Sequence, residues 1–593
     1  MANCTRGGLF PKSRAVPGTF SMLRRVWWSV VFAALVPILS SGQAAQGNSS
    51  VPGAAQAKAD SQPPTPGGSI ATLDPWSLYR KGDFAAAVDG YEQLLKNNPK
   101  SADAYAGLAR VYLQQKNVDM ASQTVTKGLA VSDSPSLHVA LGEVQFRQGK
   151  ISEAEQEWVK VINSGHPDAR AFLGLARISD AVAMYKRGKT MIDKARELDS
   201  SDPDVERHWI GTLSRSERIK YLERYLSDAN DDDAERRTHT QHYLDYLKAR
   251  AKEGGGSCRL VNDVTSTEIP LARLFRDADH LRGYGLEVKV NDRKGTLMLD
   301  TGASGILLDR GMAEKAGIGK LVETGIGGIG DTGEKNGYVG LAKSITIGGL
   351  RFENCPIAVM ENRSVVGEEG LIGADVFDDF LIDIDFPNEK LRLSELPKRP
   401  EDSGQPAGLH SDDEEDTDAP HAEPAAPAAD ATSQRPLSPP TRTFHDAYIA
   451  PEMKSYTRIY RFGHDLLVPT FANNAPSKLF LIDSGAFWNQ ITPAAARGVT
   501  KVHNDPFTTV TGISGKVKNV YSADQAVLRV GHVHEKDQDL VTFDMTGISD
   551  NCGTEVSGIL GFAMLRKLDL KIDYRDDLVD FNDDRKPKAL EIH

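Results

Sequence analysis

Two stretches of the chain each end an apolar run on an aspartate and follow it with a hydroxyl residue and a glycine. They are GTLMLDTGASGILLD, residues 295–309, and KLFLIDSGAFWNQIT, residues 478–492. Hydrolysis of a peptide carbonyl without a metal or a nucleophilic side chain needs an activated water. Two carboxyls set face to face hold such a water between them, and because like charges so close do not both ionise, the pair shares one proton. One carboxylate takes a proton from the water while the other, protonated, donates to the carbonyl oxygen, giving a tetrahedral diol and no covalent adduct. Asp300 and Asp483 are the expected acid–base pair, titrating as a unit. Thr301 and Ser484 offer hydroxyls that bond across the boundary between the two halves. Gly302 and Gly485 allow a tight turn and close backbone approach.

The match between the two stretches continues downstream. Gly325-Ile326-Gly327-Gly328 answers Gly512-Ile513-Ser514-Gly515. GLIGADVFDDFLIDIDF, residues 370–386, answers GILGFAMLRKLDLKIDY, residues 558–574. The aspartates lie 183 residues apart and the later glycines, Gly370 and Gly558, 188 apart. Landmarks that keep their order at a nearly constant offset mean an internal duplication. Short alternating apolar runs rich in Val, Ile, Leu and Gly make both copies all-β. GIGGIG at 325–330 satisfies a dinucleotide fingerprint, but turn residues rather than a helix follow it, so it reads as a hairpin.

This half of the chain resembles the aspartic protease family, each copy being similar to a retropepsin-type lobe, over about 270–396 and 444–580. The resemblance implies two β lobes that build one hydrolytic site and need no metal and no cofactor. It implies that Gly325, Gly327 and Gly328 in one lobe, and Gly512 and Gly515 in the other, belong to flap hairpins closing over an extended peptide. Leu371-Ile372-Gly373 and Ile559-Leu560-Gly561 then set Gly373 and Gly561 behind the active loops, where a side chain does not fit. We expect the lobes to pair within one chain, the alternative being pairing with a lobe of a second chain.

Ahead of the lobes the pattern is helical. Turn signals at Pro99, Pro135, Pro167 and Pro203 recur every 32 to 36 residues, and small residues keep step at Gly107, Gly142 and Gly174 and at Ala87, Ala121 and Ala154. ADAYAGLARVYLQQKNVDMASQ and PSLHVALGEVQFRQGKISEAEQ resemble the tetratricopeptide repeat family. That implies an all-α solenoid over 74–252, with about three to four repeats and a helical cap, serving as a surface for a protein partner or as a spacer. His239 and His242 stand one turn apart in it and read as surface helix residues rather than metal ligands.

Residues 1–44 have the order of a secretory leader: Arg24 and Arg25, the apolar run Val26–Leu39, then Ser-Ser-Gly-Gln-Ala. Cleavage after Ala44 exports the chain to a periplasmic or extracellular space, and an uncleaved leader anchors it to the membrane. Residues 45–73 and 397–443, rich in Ala, Pro, Ser and, in the second, acidic residues, read as flexible linkers. The chain has 593 residues and a net charge of -12, without a basic stripe, which argues against a nucleic-acid partner. Of its 4 cysteines, Cys258, Cys355 and Cys552 follow the leader, enough for one internal disulfide and an odd thiol. The whole reads as an exported aspartic endopeptidase acting on peptide or protein substrates. The alternative is a non-catalytic exported repeat scaffold that binds a protein partner.

Overall fold

The computed structural model describes residues 74–227, 234–252, 258–361, 368–400 and 444–583. The expected leader (1–44), tether (45–73) and most of the inter-lobe linker, from 401 onward, lie outside the described residues, as do the side chains of His239 and His242.

The helical part begins with α1 (Pro75–Arg80), α2 (Phe84–Asn97), α3 (Ala102–Gln114), α4 (Val118–Val131), α5 (Pro135–Arg147) and α6 (Ile151–Ile162). It continues with α7 (Ala169–Asp180), α8 (Tyr185–Leu198), α9 (Pro203–Ile210), α10 (Arg215–Ser227) and α11 (Ala234–Lys252). α3, α5, α7 and α9 start at 102, 135, 169 and 203, steps of 33, 34 and 34. The local cause is capping. Ser101, Asp168 and Asp202 accept N–H bonds at the starts of α3, α7 and α9, and Pro135 and Pro203 occupy first-turn positions where no N–H is needed. The recurring small residues are contact points. A Cβ on Gly107 would overlap the Tyr91 ring, and one on Gly142 or Gly174 would overlap the Trp158 indole. Ala87, Ala121 and Ala154 are fully buried.

Side chains from α1, α3, α5, α7 and α9 meet in a buried charge hub. Arg170 of α7 donates to Glu143 of α5 at 2.5 Å, to Asp202 at 2.6 Å and to Asp204 of α9 at 3.0 Å. Arg110 of α3 reaches Glu143 at 3.1 Å, and Tyr79 of α1 donates to Asp204 at 3.0 Å. The three carboxylates take up the donors of the Arg170 guanidinium, and Arg110 and Arg207 pair with Glu143 and Asp204 in turn, which is the condition for tolerating buried charge. The hub draws α1 and α9 together and fills the face that α1, α3, α5, α7 and α9 share.

The solenoid is not a spacer standing clear of the lobes; it packs on the second of them. Phe146, Ile151, Trp158 and Val161 share one apolar cluster with Leu467, Leu479, Leu481 and Ile559. Thr554 donates to the Phe146 carbonyl at 2.6 Å, and Arg147 and Lys116 both reach Asp550. α8 has no side-chain cap of its own. Its second and third N–H groups donate instead to the His445 carbonyl, at 3.2 Å, and to Asp446 Oδ1, at 3.0 Å. The segment that enters the second lobe therefore caps a repeat helix.

In the β half, strands run from Arg259 to Asn582. Lobe 1 is built on a nine-stranded sheet and lobe 2 on an eight-stranded one. Both contain the same unit. The strand Arg293–Asp300 lies parallel to Gly370–Gly373, which is antiparallel to Ile306–Asp309. In lobe 2, Lys478–Asp483 lies parallel to Gly558–Gly561, which is antiparallel to Gln490–Ile491. The last residues of both aspartate strands are buried on both faces, which is why they read as continuous apolar runs rather than alternating ones. A six-stranded sheet with three strands from each lobe joins the two, through Phe380–Asp385 paired antiparallel with Asp569–Asp573.

Cys258 and Cys355 form a disulfide that closes a span of 97 residues, and Cys552 is buried and unpaired. The bond ties the start of lobe 1 to its long strand Leu350–Met360. Cys355→Ser is expected to lower stability by about 2–4 kcal/mol, since closing a long loop restricts the unfolded chain. The check is the urea midpoint against wild type; an unchanged midpoint removes the bond from the list of what holds lobe 1.

Candidate active site

The parallel pairing puts Gly373 opposite Asp300 and Gly561 opposite Asp483 in register. A Cβ on Gly373 would overlap the Ala303 carbonyl oxygen, and one on Gly561 would overlap the Trp488 carbonyl. Only glycine lets each supporting strand lie so close behind its aspartate loop. Both aspartates are fully buried, as is Thr301, and Ser484 nearly so.

Four hydrogen bonds cross between the loops. Thr301 Oγ1 donates to the Ile482 carbonyl at 2.9 Å and accepts from Ser484 N at 2.9 Å. Ser484 Oγ donates to the Leu299 carbonyl at 3.1 Å and accepts from Thr301 N at 3.0 Å. Each hydroxyl thus uses its donor and an acceptor position on the opposite lobe, a reciprocal grip that fixes the distance between the loops. Gly302 N donates to Asp300 Oδ1 at 2.9 Å and Ala486 N to Asp483 Oδ1 at 2.8 Å. Oδ2 of each is buried without a hydrogen bond of ordinary geometry, and the donors near the pair are the Gly485 N–H and the facing carboxyl. A Cβ on Gly302 would come within 2.8 Å of Asp483 Cγ, and one on Gly485 would overlap Asp300 Oδ2. The two carboxyls therefore meet at the centre of the interface between the lobes.

Burial pushes Asp300 up to about 6, partly opposed by the N–H of Gly302. Burial, then the negative charge of Asp300, drives Asp483 well above the usual carboxylate range. The pair therefore keeps a proton where an isolated carboxyl has lost it. A carboxyl whose folded pKa is raised stabilises the fold below its ordinary pKa and loses that contribution as pH rises through the folded value. Asp483→Asn is accordingly expected to match the wild-type melting temperature near pH 4 and to exceed it increasingly as pH rises above the ordinary carboxylate range. Melting curves across that range test this, and a gap that does not change with pH rejects it.

Above the pair stand two hairpin tips. Gly325 lies in the strand Lys320–Ile326, and Gly327 and Gly328 follow it toward the turn before Lys335–Ile347. In lobe 2, Gly512 and Gly515 flank a two-residue turn between paired strands. The tips bond to each other. Thr332 N donates to the Ser514 carbonyl at 2.8 Å, Ser514 N to the Ile329 carbonyl at 3.1 Å, and Gly328 N to Ser514 Oγ at 3.2 Å. Their isoleucines have crossed over. Ile329 of lobe 1 packs with Leu481, Ala486 and Val510, and Ile513 of lobe 2 packs with Met298, Ala303 and Leu307.

Three residues near the loops were not singled out from the sequence. Asp375 accepts from Ser304 and Gly305. Asn489 Oδ1 accepts from Gly561 N at 2.8 Å, and its amide donates to Asp537 at 2.9 Å. No repeat between the lobes marks these positions. A polar residue beside each triplet or each later glycine was the available signal. Among the described residues, no group of three or more His, Cys, Asp or Glu is placed to hold a metal ion.

Comparison with known proteins finds a matching family model over part of each half. Residues 286–376 match the family model described as aspartyl protease, and residues 78–131 match tetratricopeptide repeat. Over 204 residues the chain is 27% identical to DNA damage-inducible protein 1 of Chaetomium globosum, covering 33% of this chain and 43% of that protein. Over 124 residues it is 32% identical to Tetratricopeptide repeat protein 21B of Homo sapiens, 20% of this chain and 9% of that protein. The chain thus spans less than half the length of either relative. Among solved structures, the aspartic proteinase from Irpex lacteus aligns over 55% of this chain and 99% of its own, at 12% identity and a TM-score of 0.29. The chain is a helical repeat solenoid followed by two β lobes, with a segment of the first lobe similar to aspartyl proteases.

Proposed function

We propose that this chain is an exported aspartic endopeptidase with one active site made by Asp300 and Asp483. The observation that carries the reading is the pair of facing, buried carboxyls held by the reciprocal Thr301–Ser484 grip. One carboxyl ionised and one protonated is the state that takes a proton from a water and gives one to a peptide carbonyl. Aspartic proteases are the established case of such a shared proton. Attack forms the C–O bond of a tetrahedral diol; its collapse breaks the C–N bond as the leaving amine takes a proton. Neither carboxyl bonds to carbon at any stage.

The flap hairpins carry Gly325, Gly327, Gly328, Gly512 and Gly515 where backbone must come close to an extended peptide and bond it as an added strand. The grip residues Thr301 and Ser484 position the loops, Gly302 and Gly485 leave room for the carboxyls, and Gly373 and Gly561 support them from behind. The repeats brace lobe 2, and their faces turned away from it are the surface for a protein partner. Export is supported by the leader-like order of residues 1–44 and by a disulfide, which persists in oxidising compartments. Among the described residues no helix is long and apolar enough to cross a membrane.

The test is incubation of the purified chain with a denatured protein mixture from acidic to neutral pH, with and without a pepstatin-like inhibitor. Inhibitor-sensitive cleavage supports the reading, and the absence of cleavage at every pH rejects it.

A further inference from the structure

The residue that holds the lobe 1 loop lies within a duplicated block, but its type is not repeated in the second copy. Asp375 sits two residues after Gly373, at the start of the short turn Ala374–Phe377. Its carboxylate accepts the N–H of Gly305 on both oxygens, at 2.9 and 3.0 Å, and the hydroxyl of Ser304 at 3.0 Å. Gly373 N donates to the Gly305 carbonyl at 2.7 Å. One three-residue segment therefore grips Gly305 by both its N–H and its C=O. Gly305 adopts φ +56° with open space where a Cβ would stand, so the backbone turn alone calls for glycine there. Ser304 and Gly305 follow Asp300-Thr301-Gly302-Ala303 directly, so whatever fixes them fixes the exit of the catalytic loop.

Lobe 2 does this differently. The position 188 residues on is Ala563, which has no carboxylate. There Phe562 N and Ala563 N donate to the Ala486 and Phe487 carbonyls at 2.6 and 2.7 Å, and Asn489 holds Gly561. Backbone and a neutral amide replace the carboxylate. The ionisable groups sharing the surroundings of Asp375 include His464 and Arg461, with the Tyr574 phenol, Asp378 and Asp465 nearby, and burial pushes Asp375 upward.

We propose that Asp375 is a positioning residue of the hydrolytic site, acting through Ser304 and Gly305 to hold the lobe 1 loop so that Asp300 faces Asp483. This rests on the endopeptidase reading above. The site is then braced asymmetrically, by a carboxylate on one side and by backbone on the other, although the catalytic carboxyls themselves are a matched pair.

The experiment uses the full chain and a peptide substrate cleaved by the wild type. Asp375→Ala is expected to lower kcat about tenfold to a hundredfold, the range that follows from a small misplacement of a reacting group. KM is expected to change less than about threefold, because the loss falls on the chemical step. Asp375→Asn, which keeps an acceptor for Gly305 N and an amide for Ser304 Oγ, is expected to recover most of that loss. Ser304→Ala is expected to cost several-fold alone and nothing further on top of Asp375→Ala. Unchanged kcat in folded Asp375→Ala, or losses that simply add, overturns the positioning role. Should Asp375→Ala not fold, full kcat in both Asp375→Asn and Ser304→Ala overturns it instead. A wild type that cuts nothing is a different result, rejecting the endopeptidase reading and with it the role assigned here.

Discussion

Asp300→Asn and Asp483→Asn are each expected to leave a folded chain with kcat/KM for peptide cleavage down by roughly 10²–10⁴-fold, the worth of a positioned acid or base. Asparagine keeps the volume of the carboxyl and one acceptor oxygen, so Gly302 N or Ala486 N still has its partner at position 300 or 483. What it loses is the proton exchange. Because the two groups share one proton they act as a unit, and the double variant should be no worse than either single one. Peptide-release kinetics near pH 6 measure this. A single variant with full activity defeats the one-site account. A second outcome separates two forms of the proposal. If mixing Asp300→Asn chains with Asp483→Asn chains restores cleavage, the working pair comes from two molecules. The six-stranded sheet shared by the lobes and the hydroxyl grip lead us to expect no such restoration.

Trp158→Ala should cost about 3–5 kcal/mol, the usual loss for truncating a buried tryptophan. The indole is 1% exposed and lies against Gly142 and Gly174, with its Nε1 donating to the Val139 carbonyl. It contacts Phe146, whose ring meets Phe462 of lobe 2 edge-on at 6.0 Å. The same cluster includes Leu479 and Leu481 on the strand that ends at Asp483. The damage is therefore expected to extend beyond the repeats. Hydrogen exchange of the strand Lys478–Asp483 should speed up along with that of α5 and α6. If α5 and α6 open while that strand keeps its protection, the solenoid and lobe 2 are separate folding units and the bracing role is wrong.

The fold class was legible because both halves of the chain are periodic. The Pro and Gly steps mark where helices begin and where they cross, so Pro135 and Pro203 foretell the starts of α5 and α9. The aspartate blocks stand out because each appears twice. Asp300, Asp483, the hydroxyls and the glycines beside them were named from that repetition alone, and which atoms bond across the lobes had to come from the structure. What occurs once was hidden. Asp375 has Ala563 at the corresponding place, so aligning the copies gives it no weight. The docking of the solenoid joins the turn after Phe146 to the helix Thr546–Cys552 and to Thr554, segments with no common period. The charge hub is assembled from Glu143, Arg170, Asp202 and Asp204, each unremarkable as a helix-surface or cap residue until the helices stack. Periodicity reports the elements; it is silent on contacts between elements of different period.

The repeats dock on the later of the two lobes. Phe146 and its partner Thr554 are 408 residues apart in the chain. At the ribosome's pace of about 5–20 residues per second, the face carrying Phe146, Ile151 and Trp158 waits roughly 20 to 80 seconds for its cover. A nascent chain of this protein therefore displays an apolar stripe without its cover until the strands of lobe 2 arrive.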